Sequence, residues 1–380
     1  MPSSPSMAPF VADLSRRRLL RTALMGAGAI VVAPSFLAAC GDDDDDTAST
    51  TGSSTGTAGT SPGAGTAASS AAAAGLVPAT LQLSWTMSVQ FGGSYLAKDR
   101  GYYEDEGLDI TFGAGGPNVA GDAQTVSGAA LMNISGGDGV ARSNMEGAGL
   151  TIVGMQYQKS PATLLSLAEK DIVTPEALVG TRIAVAGTDT PALDAFLLYN
   201  NIDKSSVELI PSQYDPAVLT ADQADSIFCF YNDLPVALEV QGIAHSTMLL
   251  ADFGFNPASQ VYTVLTESLQ GDSRAQVLSM LRGEIRGWQD YKTDYDEAAQ
   301  LAVDMYPDAG LDLETQRDQA KVQLDIMYSD VTDEFGFAWF TDELVEDNMK
   351  LFTDLEIEGA TPELFDRSLL EEIFADGPTI

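Results

Sequence analysis

Apolar and polar residues alternate in Leu81-Gln82-Leu83-Ser84-Trp85, a pattern that predicts a half-buried strand. Helical spacing follows over residues 90–98, with Phe91, Tyr95 and Leu96 on one face, and Gly101 is a natural stop. Tyr102 to Gly107 reads as a short acidic helical turn closed by glycine, and Leu108-Asp109-Ile110-Thr111-Phe112 as the next strand. The order strand, helix, strand predicts a βαβ unit. It repeats: a helix over 119–127, a strand Leu131-Met132-Asn133-Ile134, a helix over 140–147 and a strand over 150–155.

A second series follows. Residues 164–168 and 182–186 read as strands, with a helical turn at Thr174-Pro175-Glu176-Ala177-Leu178 between them. Thr190 or Asp189, with Pro191 behind it, opens a helix. Further strands are expected at 207–210, 226–230 and 247–250. Beyond Tyr262 the spacing of Val277, Leu281, Ile285 and Trp288 is helical, and another helix is expected to start at Asp294.

The pattern therefore predicts an α/β protein of two lobes with a helical C-terminal part. The expected segments are 79–173 for the N-terminal part of lobe 1, 174–256 for lobe 2 and 257–380 for the return to lobe 1. The chain should pass between lobes near 171–180 and 253–264, forming a hinge around a cleft.

The first 78 residues follow another logic. Ser15-Arg16-Arg17-Arg18-Leu19-Leu20 precedes an uncharged stretch over 22–39 that ends in Leu37-Ala38-Ala39-Cys40. Paired arginines, a short apolar region and small residues before a cysteine read as an export signal over 1–39. The first part resembles a twin-arginine signal and the second a bacterial lipobox, which implies lipidation at Cys40 and an anchor on the outer face of the cell membrane. The alternative is a spanning helix, but Pro34, several Gly and Ala, and the aspartates from Asp42 to Asp46 argue against it. Residues 41–75 lack aromatic and large aliphatic residues, so 40–78 is expected to be a disordered linker.

Charge then narrows the partners. The formal net charge is −36, so nucleic acid and phospholipid headgroups are repelled. With Cys40 lipidated, only Cys229 remains, in the apolar run Ser226 to Phe230, where a buried small hydrophobe is the simplest reading. One histidine, His245, and the absence of HExxH, GxSxG, CxxC and GxxxxGK[ST] leave no motif for catalysis or metal binding. Neither an enzyme activity, a cofactor nor a metal site is expected.

Residues 98–110, Lys-Asp-Arg-Gly-Tyr-Tyr-Glu-Asp-Glu-Gly-Leu-Asp-Ile, resemble a stretch of the ABC-transporter substrate-binding proteins that include nitrate, sulfonate, taurine and thiamine-pyrimidine-precursor binders. Gly115-Gly116-Pro117, Ser127-Gly128 and residues 175–185 match the same pattern, and Tyr231-Asn232-Asp233 resembles a segment of members that carry vitamin-like heterocycles. Leu131-Met132 departs from it, where an acid is common. The resemblance implies a type II periplasmic-binding-protein fold. It also implies a small-molecule ligand, an ABC permease and its ATPase as partners, and a monomer outside the cytoplasm.

Ligands of open α/β sheets bind beyond the carboxyl ends of the strands. That rule singles out Trp85, Gln90, Phe91, Ser135, Gly137, Asp138, Tyr157, Gln158, Thr188, Asp189, Tyr231 and Asn232 as candidate ligand-binding residues. Trp85 suits stacking on a flat ring, with a core indole as the alternative. Phe91 is equally readable as core, the Gly136-Gly137-Asp138-Gly139 run as a plain tight turn, and Asp233 as a helix cap. Lys159 is the only cation in these loops. A sulfonate or nitrate site would want more, so a neutral or cationic aromatic heterocycle is the expected ligand, with a thiamine-pyrimidine precursor or vitamin-like ring first and a sulfonate, taurine or nitrate second. A lipid-anchored enzyme of thiamine-pyrimidine synthesis is the third reading. Fungal relatives of that kind use an iron site and a cysteine-rich motif, which two cysteines and one histidine do not supply.

Overall fold

The computed structural model describes residues 75–116, 118–187 and 190–380. The export signal, Cys40, the linker up to residue 74, Pro117, Thr188 and Asp189 lie outside the described residues.

The first βαβ series is β1 (Val77–Gln82), α1 (Gly92–Asp99), α2 (Tyr102–Asp105), β2 (Leu108–Gly113), α3 (Gly121–Val126), β3 (Met132–Gly136), α4 (Gly137–Met145) and β4 (Leu150–Tyr157). The second is β5 (Ala162–Leu167), β6 (Arg182–Val185), α5 (Thr190–Tyr199), β7 (Glu208–Pro211), α6 (Ala217–Thr220), β8 (Ser226–Phe230), α7 (Leu234–Val240) and β9 (His245–Leu249). The chain then forms β10 (Ser259–Leu265), α8 (Gly271–Met305), α9 (Leu313–Met327), α10 (Asp330–Phe335), α11 (Asp342–Asp354) and α12 (Ser368–Ile373).

The strands form two mixed sheets, ordered β2-β1-β3-β10-β4 and β7-β6-β8-β5-β9. In the first, β1 runs parallel to β2 and β3, while β10 lies antiparallel between β3 and β4. In the second, β6 runs parallel to β7 and β8, and β5 lies antiparallel between β8 and β9. Each sheet forms one lobe, and the loops beyond the carboxyl ends of β1 and β7 meet where the Trp85 and Tyr214 rings touch.

The crossings follow from these pairings. β4 closes the first sheet at Tyr157 and β5 opens the second at Ala162, so the outward crossing is residues 158–161, earlier than the 171–180 expected from the sequence. The expected strand at 164–168 pairs in the second sheet, with the series it was grouped with, so the boundary of lobe 1 falls before it and not at 173. Residues 250–258 form the return. The two crossings are tied together: the Ser160 amide donates to Asn256 Oδ1 at 2.8 Å, and Lys159 Nζ pairs with Asp252 Oδ1 at 2.7 Å.

Two boundaries differ locally from expectation. β1 starts at Val77, one residue before the expected end of the linker, and ends at Gln82, so Trp85 lies in the loop beyond it. His245 begins β9 instead of lying in a turn. As expected, one helix gives way to the next at Asp294, where the torsions are non-helical and α8 kinks. Arg100 holds that bend through Asp290, Asp294 and Glu297. Cys229 is fully buried in β8. No helix among the described residues is long and apolar enough to cross a membrane.

Candidate functional site

A cavity of about 650 Å³ lies where the strand ends of the two sheets meet. The loop after β1 supplies Trp85, Thr86, Met87 and Ser88, and the loop after β2 supplies Ala114 and Gly115. From the second lobe come Tyr214, after β7, and Asp233, after β8. Met305 at the end of α8, residues 306–309 and Leu311 beyond it, and Gln316 and Gln319 of α9 are also in the wall.

Two contacts bridge the lobes here. The Trp85 and Tyr214 rings meet edge to face, with centroids 5.1 Å apart and planes at 63°. Gln319 Nε2 donates to Asp233 Oδ1 at 2.7 Å. Asp233 occupies the N-cap position of α7, yet its side chain makes no capping bond; the carboxyl faces α9 and the cavity instead. Burial pushes that carboxyl up to about 6, against the hydrogen bonds from Tyr214 and Gln319 that favour its ionised form. No Lys or Arg is among the described residues of the lining.

Deeper between the lobes lies a second polar set. Asn232 Nδ2 donates to Gln323 Oε1 at 3.0 Å and to the Tyr157 hydroxyl at 3.3 Å. That hydroxyl also donates to Gln323 Oε1 at 3.3 Å, and Gln323 Nε2 reaches the Gln90 carbonyl at 3.2 Å. Burial raises the Tyr157 phenol well above its ordinary range, so it stays protonated and can donate.

The structure therefore brings Trp85 to the cavity wall and joins Gln90, Tyr157 and Asn232 in one buried cluster. The other sequence candidates lie elsewhere. Phe91 is wholly buried in the hydrophobic core and does not line the cavity. Gly137 packs against the return crossing: its amide donates to the Ala258 carbonyl at 2.8 Å, and a Cβ there would lie 3.1 Å from Ala258. Ser135, next to last in β3, pairs with Val261 and lies outside the cavity wall. Burial also raises the Asp138 carboxyl, opposed by Arg142 and by the backbone amides of Gly139 and Asp138. Gln158 faces the helical part, with Nε2 donating to the Trp339 carbonyl at 2.9 Å. The Tyr231 amide is held by the Pro161 carbonyl at 2.8 Å, beside the outward crossing. Lys159, expected as a loop cation, is engaged by Asp252.

Tyr214, Gln316, Gln319 and Gln323 were not singled out by sequence. The three glutamines recur at i, i+3 and i+7, so they share one face of α9. Glutamine at helical spacing normally marks a solvated face, whereas here all three are buried. A second cavity, about 430 Å³ between Tyr199 and α11, carries Glu343, Asp347 and Asp354 and none of the aromatic or amide residues above. No group of His, Cys, Asp or Glu suited to hold a metal occurs among the described residues.

Comparison with known proteins matches this architecture. The chain is 27% identical to the riboflavin-binding protein RibY of Chloroflexus aurantiacus over 277 residues, 71% of this chain and 78% of that protein. Its fold is similar to the periplasmic aliphatic sulphonate binding protein SsuA of Escherichia coli, at a TM-score of 0.57 and 16% identity, covering 76% of this chain and 96% of SsuA. It is similar also to the desulfurization enzyme DSZB, at a TM-score of 0.53 and 13% identity, covering 77% of this chain and 98% of that one. The fold is thus the two-lobe type II periplasmic-binding-protein fold. A family model described as "NMT1/THI5 like" matches residues 88–298, more than half of the chain, and the protein belongs to that family.

Proposed function

We propose that this protein is the extracytoplasmic, lipid-anchored solute-binding component of an ABC importer, and that its ligand is a small planar aromatic heterocycle. The observation that carries this reading is the cavity between the lobes, walled by Trp85 and Tyr214 and lined by acids and amides without a cation. Sulfonate and nitrate are recognised most effectively by Arg or Lys in such a wall, so the lining favours a neutral or cationic ring. Similarity to a riboflavin-binding protein supports a ring of the flavin type beside a thiamine-pyrimidine precursor. Capture occurs as the lobes close over the ring, and the closed form is delivered to a permease with its ATPase. A monomer suffices, because both walls of the cavity come from one chain.

The test is a titration of the purified protein with riboflavin, 4-amino-5-hydroxymethyl-2-methylpyrimidine, taurine and nitrate, with the ligand recovered and checked for chemical change. One of the two heterocycles binds and is recovered intact. Trp85→Ala weakens that binding ten- to hundredfold, the loss of a stacking contact of about 1–3 kcal/mol, with little change in melting temperature. Tight binding of taurine or nitrate with no response to either heterocycle overturns the ligand class. Chemical conversion of the ligand overturns the transport reading in favour of an enzyme.

A further inference from the structure

Asp233 ends a chain of hydrogen bonds that begins in the other lobe. The Val89 amide donates to Gln316 Oε1 at 2.7 Å, Gln316 Nε2 to Gln319 Oε1 at 2.7 Å, and Gln319 Nε2 to Asp233 Oδ1 at 2.7 Å. A backbone amide only donates, so Val89 fixes which end of Gln316 is the oxygen. That fixes Gln319 in turn, and the chain arrives at Asp233 as a donor. Gln316 is 4% exposed and Gln319 6% exposed, so turning either amide over would set two buried N–H groups against each other. From the second lobe the Tyr214 hydroxyl acts in the same sense. It accepts from the Phe230 amide at 3.1 Å and gives its own proton to the Asp233 carboxylate.

Both lobes thus commit Asp233 as an acceptor. An ionised carboxylate has about four lone-pair positions, and the two donors take one each. The others belong to a half-buried residue of the cavity wall whose side chain leaves α7 uncapped. The titratable groups around it offer no positive charge. Tyr157 lies beneath, with its phenol held protonated by burial and by the charge of Asp233 itself. Tyr306, its phenol also raised by burial, and the exposed Asp308 stand in the same wall.

We propose that Asp233 receives an N–H or amino group of the bound ring, and that Gln316 and Gln319 are positioning residues that hold its carboxyl to this task. The ligands are then narrowed to rings with an N–H donor, such as a flavin's imide or an aminopyrimidine. A nitrate or sulfonate group presents only oxygen acceptors and would meet a carboxylate with no cation between them. A ring without a donor leaves the remaining lone pairs of a desolvated anion unmet. Protonation replaces an acceptor by a hydroxyl, so the ring is taken by the ionised form. With the carboxyl titrating at about 6, roughly nine-tenths of the protein is competent at pH 7 and one-tenth at pH 5. This inference rests on the heterocycle reading above and specifies the group on the ring that is recognised.

The experiment measures the affinity of wild type and Asp233→Asn for riboflavin and for 4-amino-5-hydroxymethyl-2-methylpyrimidine at pH 5 and pH 7. For the heterocycle that binds, the wild type is tighter by about tenfold or more at pH 7, and this advantage shrinks by about tenfold at pH 5. Because the readout is a ratio, titration of the ligand itself cancels. Asp233→Asn keeps the shape of the side chain and an oxygen for Gln319, and melting curves confirm that it is folded. The wild type alone gives a second reading: 3-methylriboflavin, or the 4-dimethylamino analogue of the pyrimidine, lacks the N–H and binds about tenfold more weakly than its parent at pH 7. An advantage that is the same at both pH values, or equal binding of parent and methylated probe, overturns the role of Asp233 and leaves heterocycle capture intact. Binding of taurine or nitrate and of neither heterocycle overturns both.

Discussion

Asp233 shows how one residue is claimed by two roles. Its place before Leu234-Pro235 is that of a helix cap, yet its carboxyl is spent on Gln319 across the lobe boundary. With a folded-state value near 6 and an ordinary carboxylate near 3.9, the folded protein holds a proton that the unfolded chain has lost between those pH values. The associated stability is fully present below about pH 4 and is lost as pH rises through about 6. Relative to Asp233→Asn, the wild type therefore loses up to about 3 kcal/mol between pH 4 and 7, read by chemical denaturation of both proteins across that range. A constant difference would contradict the burial of this carboxyl. The rule that ligands gather at strand ends brought Trp85, Gln90, Tyr157 and Asn232 into view from the sequence. It also pointed to Phe91 and Gly137, because a residue at a strand end or helix start can face the cavity or the core, and only packing decides which. Tyr214 and the α9 glutamines escaped notice because their roles depend on a contact between chain segments far apart in sequence.

At the scale of elements, α1 and α8 pack backbone to backbone. A Cβ at Gly287 would lie 2.1 Å from the Gly93 carbonyl oxygen, and one at Gly93 would lie 2.1 Å from the Trp288 ring. Beneath this contact the fully buried Glu284 accepts from Tyr103, Tyr262, Ser94 and Trp288. Gly287→Ala should cost about 1–3 kcal/mol of stability, because the methyl meets backbone that cannot step aside. A melting temperature equal to that of the wild type would contradict the close approach. Most strands and helices were legible from periodicity, since one face of each is buried. The point at which the chain changes sheets was not. Only four residues separate β5 from β4, both strands are apolar, and nothing in a run of apolar residues records which sheet will receive it.

For the whole molecule, residues 158–161 and 250–258 join the lobes and are pinned to each other at Ser160–Asn256 and Lys159–Asp252. We propose that the lobes swing about these crossings, an opening that would break Trp85–Tyr214, Asp233–Gln319 and the Asn232 bonds to Tyr157 and Gln323. A ligand that touches both walls stabilises only the closed arrangement and shifts the population toward it. The most direct measurement is small-angle scattering of the protein with and without a heterocycle that binds. The account predicts a more extended free protein that compacts on saturation with ligand. An identical profile in both states would contradict a ligand captured by closure of the two lobes.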